Sequence, residues 1–252
     1  NLQKKVDKFS FVDGSSILWN LRMIKSKEEV KRLKHICKIT SDAYEYLPKL
    51  IHLGESERSI CNKLKIDLIN RGVDQSIFMA CASGQSGYEQ IIFNPTEKIL
   101  KNNDILFIDT GSTYDGYFCD FDRNYGFGKI DDNIKKAYEI LYSVVTKGID
   151  VAKPGKKCSD IFTTMNKILE QAGSNSRSIG RMGHGFGLQL TEPPSNMLND
   201  HTLLKTGMAI TIEPVFEFES GKMLVQEEDL IITEDGNEVI TTRSPKEIPL
   251  IK

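Results

Sequence analysis

Two spacings of apolar residues alternate along the chain. From Ser26, the residues Val30, Leu33, Ile36, Cys37, Ala43, Tyr44 and Leu47 recur at helical spacing, and Pro48 ends or kinks the helix. Ser26 and Glu29 fit a capping box at its start. A second helix is expected from about Ser56 to Arg71, with Ile60, Cys61, Leu64, Leu68 and Ile69 as its stripe and Gly72 as its C-terminal cap. Residues 77–95 mix strand-like and turn-like composition. An apolar strand then starts at Ile105 and ends on Asp109; the chain turns through Gly111 to Gly116 and returns with Asp120 and Asp122. Residues 1–24 carry short apolar groups around Gly14, Ser15 and Ser16, and read as the tail of a preceding domain and a linker.

The same order then returns. A helix begins at Asp131 or Asp132, with Ile134, Ala137, Tyr138, Leu141 and Val145 as its stripe, and Pro154-Gly155 breaks it. Another helix runs from about Ser159 to Gln171 and ends at Gly173. Gly54 to Gly72 and Gly155 to Gly173 are both separations of 18, and Ile60, Leu64 and Leu68 correspond to Ile161, Met165 and Leu169 with a shift of 101. The apolar run Met208 to Ile212 ends on Glu213, as Ile105 to Ile108 ends on Asp109. Glu227 follows Glu213 by 14 residues, as Asp120 follows Asp109 by 11. Each half reads helix, helix, strand, carboxylate, return, carboxylate, an internal repeat at the level of the fold.

A carboxylate at the end of a buried strand is costly unless it is paired or binds a cation. Singly, each of these has an ordinary use. Asp109 suits a turn or cap, Asp120 a pair with Arg123, Glu213 a turn before Pro214, and Glu227 the solvated face of the run Glu227-Glu228-Asp229. Jointly, the repeated placement points to a metal cradle. His184 joins them, set among Gly183, Gly185 and Gly187; His35, His52 and His201 lie in the first helix, near its end and in a polar loop.

Composition adds little beyond exclusions. With 252 residues, 39% hydrophobic and 27% charged, the chain is that of a globular protein with ample core. A formal net charge of -2 with no basic patch argues against nucleic acid, and no apolar run approaches the ~18 residues of a membrane span. Cys37, Cys61, Cys81, Cys119 and Cys158 form no CxxC pair, and no signal-peptide pattern opens the chain. The expectation is a cytoplasmic protein with reduced, mostly buried thiols.

The segments IDTGSTYDGYFCDFDR, GHGFGLQLTEPP, AITIEPVFE and VQEEDLIITEDG resemble the four signature segments of the pita-bread metallopeptidase family. That family includes methionine aminopeptidase, prolidase, aminopeptidase P and creatinase. Order and spacing match through residues 25–252, and FVDGSSILWNLRMIKSK (11–27) resembles the junction from the smaller N-terminal domain of the prolidase-like branch. The resemblance implies an α+β pita-bread fold: two pseudo-symmetric halves with a curved antiparallel sheet covered by helices.

It also implies a site. Asp109, Asp120, His184, Glu213 and Glu227 are the expected ligands of two divalent cations, with Asp120 and Glu227 bridging or flanking them and Glu213 the proton acceptor. Glu213 and His184 are the expected catalytic residues. Four carboxylates and one imidazole suit Mn²⁺ best, with Co²⁺, Zn²⁺ or Fe²⁺ as alternatives. Two cations ~3.5–4 Å apart generate a hydroxide that attacks the scissile bond of a short peptide, of Xaa-Pro type. Without metal, the clustered carboxylates are expected to hold raised pKa values. A homodimer and a separate N-terminal domain complete the implied assembly. The chain departs from the prolidase pattern at three places. GQSGYEQIIFNPTEK lacks a histidine, with Ile92 and Phe93 in its neighbourhood; Thr191 stands where a second is usual; and Asp122 replaces the common threonine. Tyr88, Phe93, Thr191 and Glu192 are the expected substrate contacts. The changes leave open a creatinase-like C–N hydrolase or a metal-dependent lyase, and less readily an inactive binding module.

Overall fold

The computed structural model describes residues 11–174 and 180–252. Residues 1–10, the first part of the expected tail, lie outside the described residues. The rest of that segment holds a helix, α1 (Ser15–Met23), none of whose residues is buried. Ser26 opens α2 (Lys27–Tyr46) as expected: its hydroxyl accepts the Glu29 N–H at 3.3 Å, and the Glu29 carboxylate accepts the Ser26 N–H at 2.7 Å. Then come α3 (Glu57–Asn70) and the strands β1 (Gln75–Gln85), β2 (Asp104–Tyr114) and β3 (Tyr117–Phe127). The second half adds α4 (Asp132–Val151), α5 (Cys158–Gln171), β4 (His184–Gly185), β5 (Glu192–Ser195), β6 (Ala209–Ile212), β7 (Val215–Glu219), β8 (Lys222–Val225) and β9 (Glu228–Ile232). Two short strands, β10 (Asn237–Val239) and β11 (Leu250–Ile251), close the chain. Among the described residues no helix is long and apolar enough to cross a membrane.

The repeat is visible in the elements themselves. α3 and α5 are both 14 residues long, and α2 and α4 both 20. The backbone bridge Ser56–Ile99 ahead of α3 has its counterpart in Lys157–Leu203 ahead of α5. One sheet runs β1-β2-β3-β11, and a second runs β10-β9-β6-β4-β5. Strand alternation splits the core between them. Leu106 and Ile108 face α2 and α3 together with Ile36, Ile60 and Leu64. Ile105 and Phe107 share a core with Ile134, Leu141, Ile161 and Met165 of α4 and α5 and with Ile210, Ile212, Leu230 and Ile232 of the second sheet.

The hairpin corrects one expectation. β2 continues to Tyr114, so Asp109 lies within the strand rather than at its end. The turn is the pair Asp115-Gly116, with φ of 49° and 80°, the tight connection that matches strand twist. Gly111 is not a turn residue. It gives Leu190 its place: a Cβ there would stand 2.2 Å from the Leu190 Cδ1. The register pairs Asp109 with Asp122, and Gly111 with Asp120. All three aspartates therefore share one face of the sheet.

Tyr88, expected to meet substrate, is instead fully packed in the core at 1% exposure. Its hydroxyl donates to Asn124 Oδ1 at 2.8 Å and accepts the Val225 N–H at 2.7 Å, tying β3 to β8. Tyr88→Phe leaves both partners buried and one bond short, which costs about 2 kcal/mol. In thermal unfolding the variant should melt about 4–8 °C lower. An unchanged melting temperature would contradict this placement.

Candidate metal centre

The two sheets bring the five expected ligands to one cavity of about 760 Å³. Asp109 comes from within β2 and Asp120 from β3. His184 opens β4, Glu213 follows β6, and Glu227 precedes β9. One side-chain atom each from Asp120, His184 and Glu227 fall within 4.8 Å of one another. All three residues are at most 4% exposed. Gly185 is required next to His184, because a Cβ there would lie 2.3 Å from the Pro193 carbonyl oxygen.

Burial sets the electrostatics. His184 is pushed down to about 4 by burial, so its ring is neutral near pH 7. Its Nδ1 lies 2.9 Å from the Gly185 carbonyl oxygen, which places the ring proton there. The unprotonated Nε2 then faces Asp120 Oδ2 at 3.4 Å. Two acceptors at that distance repel unless a proton or a cation sits between them. Burial, and then the charge of Glu213, raises Asp109 well above the carboxylate range. Asp120 is raised by burial and by Asp109, and Glu227 by burial and by Glu213. Glu213 is pushed up to about 7, chiefly by burial. Asp109 Oδ1 and Glu227 Oε1 are buried without a hydrogen-bond partner. Orphaned carboxylate oxygens beside a neutral imidazole nitrogen are the donor set of a divalent cation, and the residues present fit one.

Behind the cavity stands a polar layer that single-residue reading of the acidic run missed. Glu227, Glu228 and Asp229 are each at most 1% exposed. Strand alternation is the signal that separates them: 227 and 229 share a face and 228 points away. Asp229, pushed up to about 8 by burial, accepts the Asp120 N–H at 3.1 Å and the Cys37 thiol at 3.2 Å. Glu228 accepts from Arg123 at 3.1 Å and from the Ser244 N–H at 2.7 Å. Arg123 also donates to the Glu227 carbonyl at 3.0 Å, so it joins β3 to the segment leading into β9 rather than pairing with Asp120. Asp122 is 1% exposed with both oxygens unpartnered, and does not line the cavity.

Of the four expected substrate contacts, Thr191 lines this cavity and the other three do not. Tyr88 and Phe93 line a neighbouring cavity of about 300 Å³. Glu192, 2% exposed, pairs with Arg22 of α1 and with Lys25 at 3.4 Å and accepts the Gln189 N–H at 3.0 Å. It fastens the chain around α1 to the loop carrying Leu190 and Thr191. Apolar side chains including Phe78, Ile92, Leu190 and Val215 complete the wall, together with Arg181.

Residues 31–235 match the metallopeptidase family M24. An uncharacterized peptidase of Bacillus subtilis, YqhT, is 31% identical over 92% of this chain and 65% of its own length. The Xaa-Pro dipeptidase of Pyrococcus furiosus is 28% identical over 96% of this chain and 69% of its own. A solved structure, the Xaa-Pro dipeptidase from Bacillus anthracis, superposes with a TM-score of 0.90 at 30% identity, over 96% of this chain and 68% of that one. The chain thus spans about two thirds of the length of the relatives it matches. With this match across most of its length and a pita-bread arrangement of two sheets around one acidic cavity, the chain belongs to metallopeptidase family M24.

Proposed function

We propose that this chain is the catalytic domain of a dinuclear-metal peptidase that removes the N-terminal residue of short peptides, with preference for Xaa-Pro bonds. The observation that carries the metal assignment is the facing pair of acceptors, neutral His184 Nε2 and Asp120 Oδ2, among carboxylates with orphaned oxygens. Asp109, Asp120, His184, Glu213 and Glu227 would hold two divalent cations, Mn²⁺ foremost. The Xaa-Pro assignment rests on the relatives of that name. Five buried, unbonded cysteines favour a reducing, cytoplasmic setting.

When bound, the cations supply Lewis acidity, lowering the pKa of a nearby water and favouring negative charge on the scissile carbonyl oxygen. Glu213 accepts the attacking water's proton and returns it to the leaving nitrogen. His184, held by the Gly185 carbonyl, keeps its free nitrogen on the metal side. Phe78, Leu190 and Val215 exclude water, and the Thr191 hydroxyl offers a polar contact. Ile92 and Thr191 in the wall, where the prolidase pattern has histidines, favour a second reading: a same-fold hydrolase or lyase acting on a small non-peptide molecule.

Glu213→Gln should lower turnover of an Xaa-Pro dipeptide by about 10²–10⁴-fold while most metal stays bound. Full activity in that variant would contradict the role of Glu213. Stability supplies a second check. The buried carboxylates hold protons more tightly folded than unfolded, so the folded state binds more protons and loses stability as pH rises. Chelator-treated protein should therefore melt progressively lower from about pH 4.3, the unfolded value, up through about 7, where Glu213 titrates. Added Mn²⁺ competes with those protons and should raise the melting temperature most at the alkaline end. A chelated protein with a flat profile and no response to Mn²⁺ would contradict the metal site.

A further inference from the structure

Asp122 stands directly across the hairpin from Asp109, and the Cα atoms of such a strand pair lie ~4.5–5.5 Å apart. Asp109 lines the main cavity; Asp122, 1% exposed, does not reach it. Asp109 Oδ1 and both carboxylate oxygens of Asp122 have no hydrogen-bond partner among the described residues. The donors nearby are committed elsewhere. Arg123 bonds to the carbonyls of Asp122, Glu227 and Thr242, and pairs with Glu228 at 3.1 Å. The Asn124 amide donates to the Val225 carbonyl at 2.6 Å. Tyr44, Tyr88 and Tyr138 feel the Asp122 charge, yet their hydroxyls donate to the Ile108 carbonyl, Asn124 Oδ1 and the Pro245 carbonyl. The charge reaches the ligand cluster instead: Asp109 and Glu213 repel it, and it adds to the repulsion on Glu227. A threonine, the residue expected at this position, would bring a hydroxyl donor and no charge.

We propose that Asp122 is a fifth carboxylate of the metal centre that touches no metal: its uncompensated charge, one strand pair from Asp109, tightens the hold of the site on divalent cations. The inference rests on the metal assignment above. A buried carboxylate without a donor needs a counter-charge. Cations held by Asp109 and its neighbours supply one at close range, where little water screens the attraction. The same charge repels the other carboxylates whenever the cations are gone, so Asp122 favours the loaded site over the empty one.

The test uses chelator-treated wild type, Asp122→Asn and Asp122→Thr, with Mn²⁺ titrated by calorimetry and thermal unfolding recorded without metal. Both variants should bind Mn²⁺ about tenfold to a hundredfold more weakly than wild type. Asp122→Asn, which keeps the shape and removes the charge, should melt no lower than wild type without metal, and Mn²⁺ should raise its melting temperature less. Unchanged Mn²⁺ affinity in the variants would overturn the proposal. Weaker binding with a lower metal-free melting temperature in both variants would assign Asp122 a structural role and overturn it as well. A wild type that takes up no Mn²⁺ would overturn the metal assignment, and this inference with it.

Discussion

Four carboxylates are held face to face around a neutral imidazole in one cavity, Asp120 and Glu227 buried and Asp109 and Glu213 partly so, and the rest of the structure is arranged to tolerate that. The cost of burying such groups is high, and their mutual repulsion adds to it. Protons or divalent cations are the two ways to relieve it. The cavity is placed where relief by cations is possible, since Asp109 Oδ1, Glu227 Oε1 and the unprotonated nitrogen of His184 have no competing donor.

The rigidity that keeps these groups together comes from behind them. Arg123, buried at 7% exposure, bonds to the backbone of both acidic strands and to Glu228. Asp229 takes the backbone N–H of Asp120 and so couples the ligand strands directly. The duplicated helix pairs, α2–α3 and α4–α5, pack against the two sheets, and on the first sheet Asp109, Asp120 and Asp122 share a face with the apolar Ile105 and Phe107. Two copies of one local pattern thereby generate a site that neither half could form. His184, which has no counterpart in the first half, supplies the one nitrogen among the five candidate ligands.

Much of this was legible in the residues. The Ser26–Glu29 box, the equal glycine separations and the strand β6 ending directly before Glu213 mark local patterns with local causes, and they appear where expected, whereas Asp109 lies inside its strand. Other features depend on partners far away in the chain. Glu192 looks like a lining residue until Arg22 and Lys25, from well over a hundred residues upstream, are seen against it. Tyr88 is claimed for the core by Asn124 and Val225. Gly111 suggested a turn because glycine usually does; Leu190, packed against it from another strand connection, is the real reason for it. α1 carries no apolar stripe in the sequence because none of its residues is fully buried, Met23 alone packing partly against the main core. Arg181 carried no signal beyond its charge until the cavity showed what surrounds it.

Everything above turns on whether the five residues Asp109, Asp120, His184, Glu213 and Glu227 hold metal. Anomalous diffraction from Mn²⁺-loaded crystals, recorded on both sides of the manganese edge, tests it most directly. Two manganese peaks should appear inside the cavity, within bonding distance of those five side chains. Crystals fully exchanged with Mn²⁺ that give no peak there, or peaks only on exposed carboxylates elsewhere, would contradict it.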